Sequence, residues 1–452
     1  MSAPPVKGVA LERRLGLLEA TATNVIGMVG VGPFLTIPFM LSAMQGPHIL
    51  YPWLLGAVLA LSDGLVYAHL GAALPGSGGP YVYLREAYRP FGLGGFMGFV
   101  FICQVILVAP LTVAGGAVGF ADYLQFYWTS MTPAEHHAVA ALLCAGVTAL
   151  LYRDIESVGR LSVIMLVAVV ATVGWVIVSG LLSFSLQQAF SFPPEAFRLD
   201  GAFARNLGGA TLLAIYSYGG YNQVCNFAEE VREPSRTIPR SIILAILVVV
   251  CLYVLMSTVI VGMLPWQEAA ATRTIASVFI ARTFANPETG RWASYVMTGL
   301  ILFVAASSLY AFLLGYSRIP FAAAREGQFF SAFARLHPKK KFPHVSLLTL
   351  GAVSMPLCIF SFGELVSWLM QVQIALVFIW QCAGVLLLHR YRKDVPQPFT
   401  MWFYPVPALL SLALWVSVFM AGPREGVGFS LGYAGLSAGL FFVFRRGTRA
   451  PQ

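Results

Sequence analysis

Between Val29 and Pro38 the chain reads VGVGPFLTIP, placing Gly30, Gly32 and Pro33 within four residues of an otherwise apolar helical run. A helix interior penalises each glycine by roughly 1 kcal/mol and a proline by about 3. One half-helix is therefore expected to end near Val29 and a second to begin near Pro33, where a missing N–H is not required. The chemistry such a break offers is main-chain chemistry: unpaired carbonyls at one new helix end and unpaired N–H groups at the other. A helix N-terminus carries about half a positive charge and suits an anion. A second interruption, AIYSYGGYNQ, sets Ser217, Gly219 and Gly220 among aromatic residues. The candidate binding residues are thus Val29, Gly30, Val31, Gly32 and Pro33 in the first break, and Tyr216, Ser217, Tyr218, Gly219, Gly220 and Asn222 in the second. Close helix packing through small residues is the alternative reading, but Gly30-x-Gly32-Pro33 lacks that spacing and packing does not explain the proline.

The elements that must position these breaks are membrane spans. Of 452 residues 58% are hydrophobic and 10% charged, against roughly 25% charged in soluble proteins. Such a chain has too few polar groups to cover a water-exposed surface. A span takes roughly 20 apolar residues, and runs of that length lie at about 17–43, 48–74, 92–120, 135–152, 156–183, 203–228, 238–264, 290–320, 345–362, 364–390, 402–421 and 426–444. The expected fold is an all-α integral membrane protein of twelve transmembrane helices, a single domain over residues 1–452 with no soluble module. With the N-terminus inside, only Arg198, Arg205, Arg273, Arg282, Arg291 and Arg424 of the 28 lysines and arginines fall on the outer side. The positive-inside rule then places both termini in the cytoplasm of a plasma or inner membrane.

The breaks occupy the first and sixth runs. Matching interruptions in two halves point to the binding site of an inverted-repeat carrier, and unpaired backbone at membrane depth is tolerated only where it lines a cavity or is buried in protein. The net charge of +9 is spread over short loops without a basic stripe or a nucleic-acid motif, so no nucleic-acid partner is expected. All six cysteines fall in apolar runs without a CxxC pair, which fits packing rather than zinc or disulfides. The polar start MSAPPVKGVALERRLG has no short apolar core with a cleavage site, so no removable signal peptide is expected. No HExxH, GxSxG or paired carboxylates lie within the spans, which argues against an enzyme, and no charged ring marks a channel filter.

Three stretches carry a family resemblance. Gly30-Val31-Gly32-Pro33-Phe34 stands where the amino acid–polyamine–organocation superfamily of secondary transporters has a G-S-G-I-F motif in its first helix. LPGSGGPYVYLREAYRP, Leu74 to Pro90, is similar to that family's P-x-x-G-G-x-Y-x-Y loop. NFAEEVREPSRTIPRSI, Asn226 to Ile242, resembles its A-E-E-x-x-x-P-x-x-x-I-P-R. The resemblance covers essentially the whole chain and implies the LeuT fold, with repeats at about 17–183 and 203–390 and two further helices at about 402–444. It implies an amino acid permease whose substrate carboxylate meets the N–H groups opening the second half of helix one. The substrate ammonium meets carbonyls of helices one and six, and an aromatic of helix six, matched by Tyr216 with Tyr218 beside it, closes over the site. Val31 replaces the motif serine and Pro33 a residue with an N–H, so this anion site has fewer donors than the family pattern.

The resemblance also frames the driving ion. Proton-coupled relatives use a lysine in the fifth helix, where this chain has Val169. Sodium-coupled relatives use two adjacent hydroxyl residues in the eighth helix, matched by Ser307 and Ser308, with carbonyls expected from Ile26, Val29 and Val304. A hard cation takes such oxygen ligands; the rival reading has the serines bonding back to their own helix. One Na⁺ is the expected coupling ion and no other cofactor is implied. The alternatives are a polyamine or organic-cation transporter coupled to protons through Asp63 or His69, and a non-transporting sensor on a transporter fold. Glu229, Glu230, Arg232 and Arg240 are expected to form a cytoplasmic salt-bridge network, and Lys339–Lys341 a solvated loop beside lipid headgroups. The implied partners are a small-molecule amino acid or amine and membrane lipid, with no obligatory protein partner.

Overall fold

The structure, a computed structural model, describes residues 13, 15–76, 78–153, 158–194, 196–338 and 342–447. Lys7, Arg14 and the Lys339–Lys341 loop lie outside the described residues. Within them the chain is helical throughout, with one isolated bridge between Leu15 and Val231.

The first apolar run is split into α1 (Leu17–Met28) and α2 (Gly32–Met44), bent by 43° across the break. There follow α3 (Leu50–Ala73), a short α4 (Pro80–Tyr88), α5 (Gly94–Leu124), α6 (Pro133–Arg153) and α7 (Val158–Leu182). The short α8 (Leu186–Ala189) leads into α9 (Gly201–Tyr218), which gives way after the second interruption to a 3₁₀ segment, Gln223–Glu230. Then come α10 (Pro234–Met263), the short α11 (Trp266–Ala271) and α12 (Ile275–Arg282), α13 (Pro287–Arg325) and α14 (His344–Leu357). The helix α15 (Phe362–Gln373) passes through a π-turn at Ile374–Phe378 into α16 (Ile379–Tyr391), and α17 (Val406–Ala421) and α18 (Arg424–Gly447) close the described chain.

Each of the twelve apolar runs falls on helix. Eight helical stretches and the bent α1–α2 pair are long and apolar enough to cross a bilayer; α9, α14 and α17 are shorter or less apolar. The protein is an all-helical, multi-pass integral membrane protein. Lipid chains are as apolar as leucine, so helices associate through close packing and small residues rather than a hydrophobic drive. The contact between α3 and α10 is of this kind: a Cβ on Gly64 would lie 2.4 Å from Ile246 Cδ1, and one on Gly71 2.9 Å from Ile238 Cγ2. Large apolar side chains such as Leu182 on α7 and Val443 on α18 stay exposed, as lipid-facing positions should.

Both described chain ends lie at the end of the bundle where α13 ends. The Leu15 N–H donates to the Glu230 carbonyl at 2.9 Å, and Arg232 donates back to Leu15 at 2.8 Å. Phe444 near the end of α18 packs on Phe330, just past α13. A charged cluster binds α4 to its neighbours on this terminal side. Arg85 pairs with Glu326 and with Glu86 (3.1 Å), and Arg392 reaches Glu86 at 2.9 Å. Burial opposes the Glu86 carboxylate, but hydrogen bonds from Arg392 and Arg85 outweigh it and hold its pKa below the ordinary glutamate value.

Candidate binding site

The first break follows from Gly30-Val31-Gly32-Pro33. Val29 leaves helical dihedrals (φ −100°, ψ 88°), and Pro33, with no N–H, sits in the first turn of α2. The Val29 N–H still closes on the Val25 carbonyl at 2.8 Å. Among the described residues no main-chain partner takes the N–H groups of Gly30, Val31, Gly32 or Phe34, and no main-chain N–H reaches the carbonyls of Ile26, Gly27 or Val29. Donors at the start of α2 and acceptors at the end of α1 are left facing one short gap.

The second break lies at Gly219–Asn222, a little later than the sequence reading of Ser217–Tyr221. The helix α9 persists to Tyr218, Gly219 turns extended (φ −57°, ψ 144°) and Gly220 takes φ +109°, a region that favours glycine. The carbonyls of Tyr218 and Gly219 are likewise without a main-chain N–H.

Side chains fix the two breaks against each other. The Tyr253 hydroxyl of α10 lies 2.9 Å from the Met28 carbonyl and 3.3 Å from that of Ser217. The Asn24 side-chain oxygen accepts from the Val224 N–H at 2.9 Å, capping the 3₁₀ segment from α1. The Thr36 and Ser217 hydroxyls are 2.9 Å apart. Gly220 sits directly on α1: a Cβ there would lie 2.4 Å from the carbonyl carbon and oxygen of Gly27.

Beside the breaks is a cavity of about 120 Å³, close in size to the roughly 150 Å³ engineered cavity that holds benzene. Of the sequence-derived binding residues, Gly30, Val31, Gly32, Tyr216, Ser217, Gly219, Gly220 and Asn222 line it. Val29 is buried in packing, and Pro33 serves to start α2. Tyr218 is a correction. It is fully buried away from the cavity, its ring on Trp53 and Tyr253 and its hydroxyl 3.3 Å from the Trp53 carbonyl. Tyr216 does face the cavity; its ring meets the Gly32 position, where a Cβ would lie 3.2 Å away, and packs edge-on against Phe362 at 5.7 Å. Phe362 begins α15, whose continuation ends at the charged terminal side, so this contact lies on the opposite side of the cavity.

Of the expected ion ligands only Ser308 borders the cavity itself. Ser308 lines the cavity next to Gly30, and its hydroxyl donates to the Ala305 carbonyl at 2.9 Å, leaving its lone pairs free. Ile26, Val29 and Val304 are buried just behind the cavity wall and Ser307 is half-buried. Asp63 lies fully buried on α3 and accepts from Tyr221 (2.5 Å), Trp415 Nε1 (3.0 Å) and Cys382 Sγ (3.4 Å). His69 is a separate group, its Nε2 3.0 Å from Gln397 Oε1, with His389 on the same oxygen. Among the described residues, Glu230 and Arg232 of the expected four-residue salt-bridge network link to other elements. Glu230 pairs with Arg318 at 3.7 Å, and Arg232 donates to the Arg13 carbonyl at 3.2 Å.

Sequence reasoning missed Tyr253, Trp415 and Phe378, which stacks on Trp415 at 4.3 Å while lining the cavity. An aromatic residue in an apolar helix reads alike whether it faces lipid or protein. Asn24 did leave a signal, an amide inside an apolar run that demands a buried partner.

Comparison with known proteins points to membrane transporters. A family model described as amino acid permease matches residues 15–443. The chain is 32% identical to a transporter of Mycobacterium tuberculosis over 76% of its own length and 73% of that protein. It is 25% identical to the branched-chain amino acid permease BcaP of Bacillus subtilis over 91% of this chain and 88% of the permease. With human cationic amino acid transporter 4 it shares 24% identity over 86% of this chain and 61% of the transporter.

Proposed function

We propose, from the premise that this chain belongs to the amino acid permease family of membrane transporters, that it carries amino acids by alternating access as a secondary transporter. The observation that supports this best is the row of unpaired N–H groups at Gly30, Val31 and Gly32 beside the unpaired carbonyls of Gly27 and Gly219, one from each break, all on residues that border one cavity. The donors at the start of α2 would hold a carboxylate, aided by the helix dipole. The carbonyl ends of α1 and α9 would hold the ammonium. Tyr216 against Phe362 would open and close the mouth away from the termini, and the Arg85–Glu326 and Arg392–Glu86 pairs the terminal mouth, which this reading places in the cytoplasm.

In this reading one Na⁺ binds among Ile26, Val29, Val304, Ser307 and Ser308, supported by the unpaired Ile26 and Val29 carbonyls and by Ser308 against Gly30. An ion there would tie α1 to α13, and ion and substrate would favour each other's binding, because coupling between sites is reciprocal. Replacing Ser307 and Ser308 together by alanine removes two oxygen ligands and little volume. Uptake of labelled amino acids into proteoliposomes should rise with an imposed inward sodium gradient, and the double variant should lose that response while still folding. A second reading, proton coupling, has its own observation: buried Asp63 is hydrogen-bonded to Tyr221 in the wall of the cavity. Uptake that follows a pH gradient and ignores sodium would decide for it, and binding without any uptake would decide for a sensor.

A further inference from the structure

Among the described residues 30 bound the cavity, and none of these is aspartate, glutamate, lysine, arginine or histidine. Its charge complement comes entirely from the main chain. The start of α2 presents one partial positive charge, and the ends of α1 and α9 present partial negative ones. Together these match one carboxylate and one ammonium. A third charge on the ligand would find no counterion, and an ionised group without a partner at membrane depth is strongly disfavoured.

Asp63 does not supply the missing counterion. It has no exposed surface, stands behind Tyr221, and both its oxygens already accept hydrogen bonds, from Trp415 and Cys382 on one and Tyr221 on the other. The polar side chains that do face the cavity, among them Gln104, Thr112, Asn226 and Gln373, are neutral. The rest of the far wall is apolar, with Val105, Leu309, Phe312 and Val377. The volume of about 120 Å³ suits a small ligand.

We infer that the site selects zwitterionic amino acids with small or medium uncharged side chains, and excludes lysine, arginine, glutamate and polyamines. This rests on the amino acid transport reading above and goes further, since that reading is indifferent to side-chain charge. The absence of a cavity carboxylate also separates it from the organic-cation alternative.

The test uses the intact purified protein. Thermal shift and competition for uptake into proteoliposomes are measured with alanine, serine, valine and leucine, and in parallel with lysine, arginine, glutamate and putrescine. Neutral amino acids are expected to raise the melting temperature by mass action and to compete at concentrations about 100-fold lower than any charged member of the panel. Lysine, arginine, glutamate or putrescine acting as well as the neutral set would overturn the selectivity while leaving the transport reading in place. A panel in which no amino acid shifts the melting temperature or enters the liposomes would overturn the transport reading, and the selectivity with it.

Discussion

Gly220→Ala is expected to abolish uptake, although it adds only a methyl group. The added Cβ would meet the Gly27 carbonyl carbon and oxygen at 2.4 Å and the Met28 nitrogen at 3.0 Å, all main-chain atoms that no rotamer change can move. The residue also holds φ +109°, where an L side chain adds strain of about 1–3 kcal/mol. Relief would require α1 and the second break to separate, pulling apart the N–H and carbonyl groups that share the cavity. The backbone of α1 fills the space beside Gly220, so the smallest side chain is enough. Gly209→Ala, on α9 just before the break and with open space around it, is the control. Both variants should reach the membrane, the control should transport normally, and Gly220→Ala should lose at least 100-fold in uptake. Normal uptake by Gly220→Ala would mean that the two breaks need not touch.

The second large effect is expected at Asp63. Its carboxylate joins three helices and the second break: it lies on α3, and its partners are on the break, α16 and α17. Asp63→Leu removes the acceptor and strands the Tyr221 hydroxyl and the Trp415 N–H in a buried place, at about 1–3 kcal/mol each. The melting temperature should fall clearly and uptake with it, because Tyr221 borders the cavity and Phe378, stacked on Trp415, borders it too. Asp63→Asn keeps one acceptor oxygen and should fold well. In a sodium-coupled protein it should also transport, with the same pH dependence as the native chain. If Asp63→Asn flattens the pH response, the proton reading is correct. An Asp63→Leu protein as stable as the native one would remove the hub altogether.

Both breaks were legible because glycine and proline act on the main chain, whose rules do not depend on neighbours. Gly30, Gly32 and Pro33 interrupt a helix wherever it packs. The twelve apolar runs were legible for a similar reason, since a bilayer demands length and apolarity of each one. Side-chain direction was not. Tyr216 matched the gate and Tyr218 stood beside it as a second candidate, yet residues two apart do not share a helix face, and the structure turns one to the cavity and the other to Trp53. Tyr253 could not have been found, because its role depends on where α10 passes the two breaks. The position of Gly220 is the same lesson: sequence marked it as special, and only the packing says what occupies its missing side chain.

The central claim is that main-chain N–H groups at Gly30, Val31 and Gly32 hold the carboxylate of the transported molecule. It is tested most directly by comparing one neutral amino acid with its own carboxamide and its decarboxylated amine, for example leucine, leucinamide and isoamylamine. Binding to the purified native protein is measured by isothermal titration calorimetry. The three share an apolar side chain and an amino group, so a difference among them reports the carboxylate. The account predicts that leucine binds at least about 100-fold more tightly than either derivative, roughly the 2.7 kcal/mol that such a ratio represents. Equal affinity for all three would contradict it, and would place the determinant of binding away from the start of α2.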